Sequence, residues 1–91
     1  MATVSAFVKD PSAVLDYVFN WATWLGTDTI ATHTVTAETG LTVDSSTATA
    51  TAVTAWLSGG TAGEDYTVTC RIVTAAARTD ERSIVIQVAD R

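Results

Sequence analysis

One cysteine, Cys70, is the whole thiol content of this sequence, so no internal disulfide can staple it. The single histidine, His33, has no neighbour at metal-ligand or triad spacing, and one His with one Cys cannot supply a nucleophile, a base and an orienting group. Basic residues are few: Lys9, Arg71, Arg78, Arg82 and Arg91, against ten acidic ones, for a net charge of −5. They form no cluster able to neutralise phosphates, which argues against nucleic acid and anionic membrane as partners. No apolar run reaches the ~20 residues a helix needs to cross a bilayer. No basic segment followed by an apolar one opens the chain, so no signal peptide is visible and synthesis in the cytoplasm is expected. The one proline, Pro11, marks a turn or a sheet edge, because its ring fixes φ and it has no N–H.

Threonine, valine and alanine dominate what remains. β-Branched side chains fit a pleated surface and lose χ1 freedom in a helix, so an all-β chain of one domain over residues 1–91 is expected. Period-two alternation predicts strands over residues 3–8, 13–21, 29–37, 41–44, 47–57, 65–74 and 83–89. In residues 13–21 it sets Leu15, Tyr17, Phe19 and Trp21 on one face, taken as the core face. A helix with Ser12 as cap also fits Val14, Tyr17, Val18, Trp21, Trp24 and Leu25, but aromatic and β-branched enrichment favours the strand. Residues 47–57 read as one long strand, able to slip in register where only Ala and Thr alternate, with residues 47–55 as a pairing edge and Trp56 in the core. Residues 75–82 read as a charged hairpin loop.

The run Trp56-Leu57-Ser58-Gly59-Gly60-Thr61-Ala62-Gly63-Glu64-Asp65-Tyr66-Thr67-Val68-Thr69 says most about the fold. A strand ends, a glycine-rich reversal follows, and a second strand opens on a tyrosine. In immunoglobulin-like sandwiches a Tyr at that corner buries its ring and bonds back to upstream backbone. Together these features predict an immunoglobulin-like antiparallel β-sandwich of about seven strands, with Trp21, Trp56 and Tyr66 in its core.

The chemistry-bearing residues point away from catalysis. Gly59, Gly60 and Gly63 lack the Lys-Ser/Thr of a phosphate loop. Asp10, Asp28, Asp44, Asp65 and Asp80 are spread over separate turns, not gathered into a calcium loop. Lys9 and Asn20 look peripheral, which disfavours an isopeptide bond between them. No catalytic, cofactor-binding or metal-binding residue is assigned, no cofactor is expected, and Cys70 reads as a buried strand residue. The densest charge cluster is Arg78, Thr79, Asp80, Glu81 and Arg82. With Trp24, the aromatic best placed for exposure, it is the candidate partner-docking site, because mixed charge at a loop tip sets register and partner choice.

Several ordered pieces resemble a family of small tailed-phage virion proteins with an immunoglobulin-like fold, described as fiber–tail adaptor proteins. They are Lys9-Asp10-Pro11, Leu15-Asp16-Tyr17, Trp21 with Trp24-Leu25, Asp28-Thr29-Ile30 and Gly40-Leu41-Thr42-Val43. Later come Trp56-Leu57-Ser58-Gly59-Gly60-Thr61-Ala62-Gly63, Tyr66-Thr67-Val68 and Arg78-Thr79-Asp80-Glu81-Arg82-Ser83. The resemblance runs from about Lys9 to Val88. It departs at Ala77, where a glycine with positive φ is expected, and at Cys70, where a polar residue is expected. It implies a non-catalytic virion component, present in several copies, that joins fiber or baseplate components to the tail. Its partners would be other virion proteins. A capsid decoration protein, bound to the major capsid protein, and a carbohydrate-binding adsorption module are the alternatives.

Overall fold

The computed structural model describes residues 2–89, with side chains from Ala6 onward. It has seven strands and one short helix: β1 (Ala2–Lys9), β2 (Leu15–Asn20), α1 (Ala22–Leu25), β3 (Ile30–Ala37), β4 (Leu41–Ala48), β5 (Ala52–Gly59), β6 (Asp65–Thr74) and β7 (Thr79–Val88). One sheet has the order β1-β7-β6-β3 and the other β2-β5-β4. With β2 to β7 lettered B to G, the sheets are B-E-D and C-F-G, the immunoglobulin-like arrangement.

β1 departs from an all-antiparallel sandwich. It lies in the sheet opposite β2 and pairs in parallel with β7. Lys9 helps hold it there: its Nζ donates to the carbonyls of Asp10 at 2.8 Å and Gly59 at 2.7 Å, and its own carbonyl accepts the Ala89 N–H. Lys9 is therefore fully buried, not peripheral as its sequence neighbours suggest. Burial lowers its pKa, against the opposing pull of Asp10 and Asp44.

The core follows the alternation closely. Tyr17, Phe19 and Trp21 of the second strand region, Val53, Ala55 and Leu57 of β5, Tyr66, Val68, Cys70 and Ile72 of β6, and Ile84, Ile86 and Val88 of β7 are all buried. Leu15 lies at the open start of β2 and stays 39% exposed. Trp56 is the clearest correction: it is 43% exposed. Val53, Ala55 and Leu57 share a parity that faces inward, so Trp56 between them must face out.

The long Thr/Ala run is a hairpin, not a strand. β4 ends at Ala48 and β5 begins at Ala52. Thr49 closes the turn: its N–H donates to the Ala52 carbonyl at 2.8 Å, and its Oγ1 accepts the Ala52 N–H at 3.2 Å. A threonine hydroxyl replaces the glycine or asparagine that would mark such a turn. Only the β4 part of the run lies at a sheet edge; β5 is central.

The tyrosine corner is present. Tyr66 is buried, and its Oη accepts the Thr61 N–H at 2.9 Å. Two glycines make room for it. A Cβ on Gly40 would sit 2.9 Å from Tyr66 Cε1, and one on Gly60 2.6 Å from Val88 Cγ2, with φ of +107° and +95°.

Candidate protein-docking site at the loop end of the sandwich

Three connections converge at one end. The β2–β3 link contains α1, the β4–β5 turn spans residues 49–51, and the β6–β7 turn spans residues 75–78. Backbone bonds knit them together: Trp21 N–H to Thr51 O, Ile30 N–H to Ala50 O, and Ala75 N–H to Thr29 O, each 2.9 Å. The predicted docking residues all lie here, though not as a loop tip. Only Arg78 is in the turn; Thr79, Asp80, Glu81 and Arg82 are the first residues of β7. Strand alternation therefore splits them between two faces.

Asp80 and Arg82 point between the sheets. Asp80 Oδ2 accepts the Trp21 Nε1–H at 2.9 Å and lies 3.6 Å from Arg82 Nε. Arg82 Nη1 donates to the Asn20 carbonyl at 2.7 Å, and its guanidinium sits 4.9 Å from the Trp21 ring centroid. Trp21, with no exposed surface, is thus stacked on Phe19 on one side and met by a cation. The indole must find an acceptor once buried, and Asp80 provides it.

Arg78 makes a second clamp. Its Nε donates to Asp28 Oδ2 at 3.1 Å, its Nη2 to the Leu25 carbonyl at 3.1 Å, and its guanidinium covers the Trp24 ring at 4.4 Å. Trp24 packs against the core and is half-buried beneath Arg78, so it is not a free aromatic anchor. Asp28 is held at a pKa of about 2, chiefly by the Thr74 hydroxyl; desolvation opposes this, and the Thr29 amide, Arg78 and the Ala76 amide add to the lowering.

Thr79 and Glu81 face outward and are exposed. Glu81 is directly across the hairpin from Arg71. With Asp80 these residues line a shallow hollow of about 300 Å³. Arg71 was missed by the sequence reading, although the β6–β7 register places it opposite Glu81 on the same outer face. Its mixed charges suit recognition of a polar protein surface. Ala77 closes the turn with φ of 65°, in the left-handed region where a glycine was expected. His33 bonds Ser46 Oγ across the sheets at 3.1 Å, and Cys70 is buried with its thiol pushed up to about 12 by desolvation.

The family model of the podophage GP4 fiber-tail adaptor protein gp77 matches residues 9–87. The chain belongs to this family. No curated protein matches it. The adaptor match covers β2 to β6 entirely and nearly all of β7, so both arginine clamps, the Arg71–Glu81 pair and the tyrosine corner lie inside it. Of β1 it includes only Lys9, the residue whose side chain anchors that strand to Gly59.

Proposed function

We propose that this adaptor acts without catalysis, joining a fiber or baseplate component to the phage tail through protein–protein contacts, as one of several copies in the virion. The loop end is one contact surface. The observation that carries this reading is the division of labour along the first residues of β7. Trp24, Arg78, Asp80 and Arg82 are tied into internal clamps, while Thr79, Glu81 and the facing Arg71 are presented outward on the platform those clamps stiffen. A rigid, mixed-charge surface loses little entropy on docking and selects its partner by charge pattern. Neither nucleic acid nor membrane is part of this reading.

The test is incorporation into particles. Glu81→Lys and Arg71→Glu, each at an exposed position, should lower the amount of the chain in purified virions at least tenfold while its melting temperature stays within a few degrees. Wild-type incorporation of both variants would remove the loop end from the interface. Location on the capsid shell would instead make the chain a decoration protein.

A further inference from the structure

Among the described residues, six large hydrophobic side chains are exposed: Phe7, Val8, Val14, Leu15, Val18 and Trp56. All lie on β1, on β2 or just before it, or on β5; among the described residues, β3, β4, β6 and β7 carry none. β1 and β2 are the edges of their two sheets on the same side of the sandwich, and the Phe7 ring meets Tyr17 there at 5.1 Å between centroids. The apolar surface is thus one-sided. It runs from the β1/β2 side onto the outer face of the three-stranded sheet, and a patch of this kind marks an interaction surface.

The chemistry of that face is specific. Trp56 lies directly opposite Asp16, with Val18 diagonal to it. Trp21 N–H bonds Thr51 O in the register of the β2–β5 ladder, so odd-numbered residues of β2 bond to β5. Asp16 and Trp56 therefore form a non-hydrogen-bonded pair, in which side chains approach more closely. On the other flank, Ser58 Oγ bonds Asp44 Oδ1 at 2.8 Å, which fixes that carboxylate beside the same outer face. Lys9, which interacts electrostatically with Asp44, is buried with its Nζ on two carbonyls. The exposed indole thus has an acid on each side.

The parity that points Asp16 and Val18 side chains outward also turns their main-chain N–H and C=O groups to the open edge of β2. Asn20, next in that series, has its carbonyl occupied by Arg82 Nη1. The edge is closed at that end and open around Asp16 and Val18.

We propose that this surface binds an extended, basic segment of a partner protein. The segment adds a strand to the β2 edge and lays an arginine or lysine side chain on Trp56 between Asp16 and Asp44. The open edge calls for a strand, and the indole with two carboxylates calls for a cation. A second copy related by a two-fold axis does not fit, because it would bring the same acids to the same face. The inference rests on the adaptor reading in one respect: a protein that bridges two components needs two surfaces, and this one lies apart from the Arg71–Glu81 platform.

The test uses the isolated full chain and does not depend on where it sits in the virion. Isotopically labelled protein is titrated, by NMR, with three probes: a short peptide alternating valine and arginine, the same peptide with glutamate for arginine, and maltohexaose. The arginine peptide should shift the Asp16 and Val18 amides and the Trp56 indole N–H, and bind at least tenfold more tightly than the glutamate peptide. Asp16→Asn with Asp44→Asn should weaken it at least tenfold. Val18→Lys, at an exposed edge position, should do the same without unfolding the chain. Equal binding of both peptides, shifts elsewhere, no shifts, or shifts at Trp56 from maltohexaose alone would overturn the proposal. Any of these would leave the loop-end reading standing, since that is judged by incorporation of the Arg71 and Glu81 variants.

Discussion

The Trp21 indole N–H donates to Asp80 Oδ2 at 2.9 Å and joins the end of β2 to the start of β7 across 59 residues of sequence. Trp21 has no exposed surface, so this acceptor has no ready replacement from solvent. Asp80→Ala should cost about 2 kcal/mol, the usual penalty for stranding a buried donor. Asp80→Asn keeps an acceptor and should cost less than half of that. Urea denaturation of both variants checks the order; equal losses would mean the charge, not the hydrogen bond, is what counts.

Asp28 makes stability depend on pH at the acid end. Its folded pKa of about 2 lies below the ordinary 3.8. A depressed carboxyl pKa contributes stability that is complete above the unfolded value and is lost as pH falls through the folded one. The melting temperature should therefore drop from about pH 4 to about pH 2, and Asp28→Asn should flatten that part of the profile. An unchanged slope in the variant would assign the acid sensitivity to other carboxylates.

Ala77 is held at φ of 65° in the β6–β7 turn. The left-handed region costs an L-residue roughly 1–2 kcal/mol, partly offset by the greater unfolded freedom of glycine. Ala77→Gly should raise stability by about 0.5–1 kcal/mol, a melting-temperature gain of about 2–6 °C for a domain of this size. A loss on substitution would show that the turn relaxes out of this conformation in solution.

Cys70 is buried and its thiol is pushed up to about 12 by desolvation. Alkylation by iodoacetamide at about pH 8 should proceed only through the unfolded molecule, because thiolate and access are both lacking in the fold. The labelling rate should track the unfolded fraction as urea is added. Labelling of the folded chain at the rate of a free cysteine would contradict this burial.

The sandwich was legible where alternation carried large side chains. Tyr66, Val68, Cys70 and Ile72 gave both the limits and the inward face of β6, and the glycine-rich corner gave the tyrosine bond to Thr61. The resemblance singled out Ala77 as a glycine position, and its φ is indeed positive. The Thr/Ala run failed for the opposite reason. A turn built on the Thr49 hydroxyl carries no glycine, proline or asparagine, so nothing marks it in the sequence. Trp56 was misplaced because size was allowed to outweigh parity: Leu57 beside it takes the inward position. The charge cluster was found but its geometry was not. Whether Arg82 reaches a partner or the Asn20 carbonyl depends on a contact spanning 62 residues, which local pattern does not encode.

Electron cryomicroscopy of intact particles tests the central claim most directly. The account predicts density for this chain at the junction of fiber and tail, with the Arg71–Glu81 face buried against another virion protein. Density spread over the capsid shell, or a tail position with that face open to solvent and the opposite end of the sandwich engaged, would contradict it.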